Sequence, residues 1–281
     1  MDRPGDELAG SGRAHLARFR PRPFGLVTAA LGLLALGFLL LPLAAVFSEG
    51  DIVAGLDSPV ARDALRLSLE TSLTALAVMV LVGTPIAYML GTRDFPGKSV
   101  VVTAFELPLV LPPAVAGLGL LFAFGRRGLL GGELSALGLE IPFTRLAVVL
   151  AMTFVASPLY VRQAQSAFAA VDDDLLAAAR TLGAGETRTF LRVAIPVAAQ
   201  GLGAGAALGW ARALGEFGAT IIFAGSLQGV TQTAPIAIYI GFDSDPDAAF
   251  AVAAVLIAAS ALVLLSVKLL ARGGARRFGP A

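Results

Sequence analysis

Arg212 and Glu216, two ionisable residues four positions apart inside an otherwise apolar run, are the most unusual chemical feature of the chain. On a helix that spacing puts both side chains on one face, where guanidinium and carboxylate partly neutralise each other, although Arg before Glu is the poorer order. A charge at the centre of a membrane costs about 2.5–3.5 kcal/mol on insertion scales, so each needs a reason to be there. One reason is structural, an ion pair turned into a helix bundle. The other is functional, a pair that holds a gate beside a permeation path, or an arginine that biases the field toward anions. Glu106, directly before Leu107 and Pro108, is a third such charge, with no partner close in sequence. Beyond the Arg212 and Glu216 run, the stretch Ser226 to Asp247 offers Ser226, Gln228, Thr231, Gln232 and Thr233 but no Lys or Arg. Neutral donors at Thr231, Gln232 and Thr233 suit the outer mouth of a conduit, because charged side chains would hold a passing ion tightly and release it slowly.

Enzyme chemistries lack their parts. There is no cysteine, which removes disulfides, thiolate metal sites and cysteine nucleophiles, and the single histidine, His15, excludes a histidine metal cluster or a Ser/His/Asp triad by count. Pro96, Gly97, Lys98 and Ser99 look like the end of a phosphate-binding loop, but the glycine required five positions before Gly97 is Thr92, and Gly91 misses by one. An intramembrane serine protease would want a histidine in a span, and an aspartyl type would want paired aspartates there. Every Asp falls outside the apolar runs.

Those runs set the fold class. Hydrophobic residues make up 57% of the 281, charged residues 15%, and mean hydropathy is +0.81, values of a membrane protein. The net charge of +1 gives no electrostatic case for nucleic acid. Six runs reach the ~20 residues that cross a bilayer: Phe24 to Phe47, Ser68 to Leu90, Val100 to Phe124, Phe143 to Val161, Val197 to Gly225 and Ala248 to Leu270. The first exceeds the roughly 7–15 residues of a signal h-region and reads as a retained span. The fourth is interrupted by Ser157 and Pro158. The expectation is an all-α polytopic membrane protein with about six transmembrane helices. It divides into a basic tail over 1–23, a transmembrane domain over 24–270 and a second tail over 271–281. Pro42, Pro85, Pro108, Pro112, Pro113 and Pro158 favour kinks, either as ordinary membrane-helix tolerance or as breaks that turn backbone polar groups toward a pathway. Gly201, Gly205 and Gly209 recur every fourth residue and make a face for close packing, within the chain or at a dimer seam.

Orientation follows from the basic residues. With the N-terminus in the cytoplasm, the inner segments hold fifteen of the 21 Lys and Arg, among them Arg93, Lys98, Arg162, Arg180, Arg188 and Arg192; the outer segments hold Arg62, Arg66, Arg126, Arg127 and Arg145. Both termini are then inside. The Arg-rich stretch Arg13 to Arg22 could bind anionic lipid, but the same rule explains it more cheaply.

The segment 171–196 falls on the same side and is too long for a simple connector. Asp172, Asp173 and Asp174 favour a helix N-terminus, Leu175, Leu176, Ala179 and Leu182 follow at helical spacing, and Gly183 supplies a stop. A second short helix from about Glu186 brings Phe190, Leu191 and Ile195 together before Pro196 opens the next span. This pattern resembles the coupling loop of binding-protein-dependent ABC transporter permeases: Glu-Ala-Ala, three residues, Gly, nine residues, then Ile-x-Leu-Pro. Ala178, Ala179, Gly183, Val193, Ile195 and Pro196 fall in register. Ala177 stands where the family has Glu, so a salt bridge from that Glu does not carry over. The resemblance implies that Leu175, Leu176, Ala177, Ala178, Ala179, Leu182, Gly183, Ile195 and Pro196 form the ATPase-coupling surface.

The string from Ala211 to Gly225, ARALGEFGATIIFAG, with Gln232 to Tyr239, QTAPIAIY, closely resembles molybdate ABC transporter permeases and more loosely their sulfate and tungstate relatives. With the coupling loop, the likeness covers about 68–270. It implies a homodimer with a central pore, two cytoplasmic ATPase subunits that bind the ATP and Mg, an extracytoplasmic molybdate-binding protein and a prokaryotic inner membrane. This chain itself then needs no cofactor and is not an enzyme. The expected function is import of molybdate by alternating access, with Arg212 and Glu216 deep beside the gate. Sulfate or tungstate import is the alternative within the class. An ATP-independent anion channel or transporter is the alternative outside it, although a channel would not require a coupling loop.

Overall fold

A computed structural model of the chain describes residues 23–275, which are helical with no strand among them. The sequence-based readings of 1–22, including His15, and of 276–281 lie outside the described residues. Of the described residues, 23–45 form one unit and 46–275 another. The first contains most of helix α1 (Pro23–Glu49), apolar on every side, with Leu, Phe and Val side chains exposed around the helix as on a span that meets lipid.

In the second unit, α2 (Ile52–Asp57) is capped by Asp51, whose carboxylate accepts the Ala54 N–H at 3.0 Å. Helix α3 (Pro59–Thr92) starts well before the expected Ser68, because Pro59 needs no amide partner in a first turn and the helix can run through Arg62, Asp63 and Arg66 into water. Then come α4 (Lys98–Val110) and α5 (Pro113–Phe124), and the one span expected over Val100 to Phe124 is corrected here to two short helices meeting at 113°. Prolines explain the break: Leu111 (φ −65°, ψ 135°) and Pro112 (φ −55°, ψ 132°) are extended, as residues before a proline are driven to be. A short α6 (Gly131–Ala136) leads to α7 (Arg145–Ala169), which runs through Ser157 and Pro158 without interruption.

On the coupling-loop side lie α8 (Asp173–Thr181) and α9 (Glu186–Thr189). The second does not stop before Pro196 as expected. It continues through a π-helical stretch, Phe190–Ala194, into α10 (Ile195–Leu214) as one 29-residue rod. The π turn, in which the Ile195 N–H reaches back to Phe190 O, absorbs the register fault at Pro196, a residue with no amide to give. The span expected over Val197 to Gly225 is likewise broken, at Gly215–Phe217, and resumes as α11 (Gly218–Ala224). The expected outer loop contains a further apolar helix, α12 (Ala234–Ser244), before α13 (Pro246–Ala275). Five helical stretches can each cross a membrane, with the bent α4–α5 pair as a sixth.

Helix α7 is the centre of this unit and packs against both α3 and α10, which also touch each other. Its Tyr160, 1% exposed, shares a 2.5 Å hydrogen bond with Thr84 of α3. The glycine stripe of α10 is an internal contact: a Cβ on Gly201 would overlap that of Ala167, so helix axes come together where no side chain intervenes. Trp210 of α10 donates to Ser72 Oγ of α3 at 3.0 Å.

Candidate functional site

The 171–196 segment, expected to couple to an ATPase, is shaped by local chemistry at both ends of α8. Asp172 accepts the Asp174 N–H (2.9 Å), and Asp173 and Asp174 add negative charge to the first turn. At the other end Gly183 takes φ +84°, and two bonds close the cap: Gly183 N–H to Arg180 O at 2.9 Å and Ala184 N–H to Ala179 O at 3.0 Å. This is a Schellman stop, which needs a residue at ease in the left-handed region.

Packing then sorts the leucines. Leu176 is 3% exposed and belongs to the protomer's own core, whereas Leu175 is 48% and Leu182 88% exposed. The apolar surface offered outward is therefore Leu175, Ala178 and Leu182, with Ala177 exposed beside them and Ala179 half-buried. Gly183 and Pro196 are exposed, and Ile195 is half-buried at the join with α10. Behind the loop, Phe190 packs its ring 4.9 Å from Tyr88 of α3 and 6.2 Å from Phe168 of α7. Arg93, just past α3, reaches Glu186 at 2.6 Å.

In the break between α10 and α11, Arg212 Nη1 meets Glu216 Oε2 at 2.8 Å, the carboxylate side chain being 1% and the guanidinium 35% exposed. The other oxygen, Glu216 Oε1, accepts the Ala219 N–H at 2.9 Å in the first turn of α11. One buried carboxylate thus holds the end of α10 and the start of α11 together, and both of its oxygens are satisfied. The sequence spacing located the pair but not the amide of Ala219, because the chain turns between them.

Thr231, Gln232 and Thr233 form a tight turn folded into the protomer. Thr231 and Thr233 are fully buried and Gln232 is 9% exposed. The Thr231 hydroxyl accepts the Leu227 N–H at 2.9 Å, so it serves the turn, and the next residue, Ala234, donates its N–H to Ser68 Oγ of α3 at 2.7 Å. Gln232 borders a cavity of about 230 Å³ between α3, α12 and α13, together with Ser226, Gln228 and Asp245. Asp245, already bound by the Ser58 hydroxyl at 3.0 Å, makes that cavity unfavourable for an anion.

Glu106, without a partner in sequence, has one in space. Its Oε1 lies 3.6 Å from Nε of Arg162 on α7, and the two line a cleft with Leu90, Phe105, Pro158 and Gln165. No local signal joins residues this far apart.

Comparison with known proteins places these features. Residues 83–276 match the family described as "Binding-protein-dependent transport system inner membrane component". The chain is 42% identical over 233 residues to the "Molybdenum transport system permease protein ModB" of Mycobacterium tuberculosis, covering 82% of this chain and 88% of that one. It is 41% identical over 204 residues to the "Probable transport system permease protein NifC" of Clostridium pasteurianum, covering 72% and 71%. Among solved structures, a bacterial ABC transporter that imports the acidic polysaccharide alginate superposes with a TM-score of 0.63 at 16% identity, over 92% of this chain and 96% of that one.

Proposed function

The chain belongs to the binding-protein-dependent transport system inner membrane components, and from that premise we propose that the anion it carries is molybdate. It is a multi-pass inner-membrane permease and not an enzyme; it has the ABC transporter permease fold, and ATP hydrolysis lies in separate subunits. The observation that carries the molybdate assignment is 42% identity over 82% of the chain to a relative named for molybdenum transport. The string from Ala211 to Gly225, which contains the buried Arg212–Glu216 pair, supports the same reading.

The working unit is a homodimer with its path between the two copies, two cytoplasmic ATPases that bind ATP and Mg, and an extracytoplasmic binding protein that delivers the anion. Both termini and the 171–196 loop face the cytoplasm. The ATPase seats on Leu175, Ala178, Leu182 and the turn at Gly183. Its closure pushes the α8–α9 pair, and because α9 continues into α10 as one rod, the push reaches the Arg212–Glu216 break at the far end. Gating there alternates the opening of the path. Of the polar turn residues, Gln232 stays nearest the outer surface, and Thr231 and Thr233 hold the turn behind it.

Reconstitution of the permease with its ATPases and cognate binding protein tests this. The expected result is ATP-dependent molybdate uptake with molybdate-stimulated ATP hydrolysis, and no submicromolar molybdate binding to the permease and ATPases alone. Uptake of sulfate with no response to molybdate would reassign the anion, and uptake without ATP would replace the importer by a channel.

A further inference from the structure

Arg162 and Glu106 lie at similar distances from neighbouring ends of their helices. Glu106 is eight residues into α4 from Lys98, about 12 Å at 1.5 Å per residue, and Arg162 is seven residues before the end of α7 at Ala169, about 10 Å. On the orientation proposed above, both distances run from the cytoplasmic ends of their helices, which puts the pair near the inner edge of the hydrocarbon layer. It differs from Arg212–Glu216 in every respect. The contact is 3.6 Å against 2.8 Å, and the side chains are 68% and 40% exposed against 35% and 1%. Helix α4 has no fully buried residue and packs through the half-buried Val101, Val102 and Phe105.

Ionic side chains in a span face a bundle interior or water, not lipid. A lone Arg near the inner edge could extend to the headgroups. A carboxylate beside it argues otherwise, since an acid at that depth would be repelled by the anionic headgroups an arginine seeks. What remains is the side of the protomer that borders the path. There a bare arginine would trap a dianion, whereas an arginine already offset by a carboxylate attracts it briefly and lets it go.

We propose that Arg162, loosely held by Glu106, is the cation a tetrahedral oxyanion meets at the inner end of the path, with Glu106 as the built-in counter-ion that releases it. This rests on the importer reading above. Gln165 lines the same crevice, which at about 10 Å³ is too narrow for the anion itself, and places a neutral amide beside the pair.

The cysteine-free chain allows a direct test. Glu106→Cys, in the assembled complex in inside-out vesicles containing anionic lipid, is modified in parallel by a sulfonate-bearing and a quaternary-ammonium thiosulfonate reagent. Each rate is normalised to that reagent's rate with a free thiol in solution. A path lined by Arg162 gives a sulfonate-to-ammonium ratio above one, falling at least fivefold when Arg162→Gln is added. A ratio below one and indifferent to Arg162 would put the residue among the headgroups, and no reaction with either reagent would put it in a dry contact; both results overturn the proposal. Gln165→Cys, which leaves the pair intact, gives the same readout if Glu106→Cys does not insert. Molybdate uptake by the wild-type complex is measured alongside. Its absence would sink the importer reading, whereas normal uptake with a charge-indifferent thiol ratio would sink this inference alone.

Discussion

The ring of Phe190 lies 4.9 Å from that of Tyr88, tilted by 46°, and this contact joins the 171–196 loop to α3, the longest helix among the described residues. Phe190 also opens the π-helical stretch, so the residue that touches α3 is the one at which the α9–α10 rod is locally unwound. Such stretches are frequent at functional sites. On the coupling reading proposed above, a push on α8 meets the rod at a point packed on both α3 and α7.

Replacing that ring should uncouple the protein more than it unfolds it. Phe190 is half-buried, so Phe190→Ala costs about 2–3 kcal/mol, below the usual figure for a fully buried phenylalanine. The expected outcome is ATP hydrolysis that persists while anion uptake falls at least tenfold. Uptake and hydrolysis declining in step would mean that Phe190 contributes only stability.

Gly183→Val should remove coupling while membrane insertion stays intact. A β-branched residue at φ +84° is strained whatever space surrounds it, and the site is open, so the effect is on the turn and not on packing. Copurification of the ATPase and anion-stimulated hydrolysis are the readouts, and normal values for both would remove the loop from the mechanism. Because Ala177 stands where the family has Glu and the exposed neighbours are Leu175 and Leu182, assembly should depend only weakly on salt.

Arg212 and Glu216 should behave as a unit. Glu216→Ala strips the partner from Arg212 and the cap from α11, at a cost of about 3 kcal/mol, the low end for a buried pair because the arginine keeps a third of its exposure. Glu216→Gln with Arg212→Met keeps an acceptor for the Ala219 N–H and leaves no orphan charge, so thermal unfolding in detergent should recover most of the loss. A double variant as unstable as Glu216→Ala would show that the ion pair itself, and not the orphaned charge, carries the stability.

Topology can be read with single cysteines. Ser58 donates to Asp245, next to Ser244, so cysteines at Ser58 and Ser244 must report the same side. An impermeant thiol reagent on intact cells should label both and spare Thr187, with Ser11 and Gly279, beyond the described residues, also spared. Labelling of Thr187 with protection at Ser244 would invert the orientation.

The sequence by itself determined what depends on neighbours along the chain. Apolar length revealed the membrane spans because lipid penalises any unpaired polar backbone, and the caps at Asp172 and Gly183 were legible because a helix end is satisfied by residues within a turn of it. Tertiary structure decided what depends on direction. Hydropathy cannot see a bend, so two runs read as single spans were broken, one at Leu111–Pro112 where prolines forced extended backbone and one at Gly215–Phe217 where Glu216 turned to hold the next helix. Apolar character likewise cannot say whether Leu176 or its neighbour Leu175 turns inward, since burial depends on which helix lies opposite. For the same reason Glu106 had no partner until α4 was laid against α7: an ion pair is made by distance in space, and 56 positions of sequence carry no record of it.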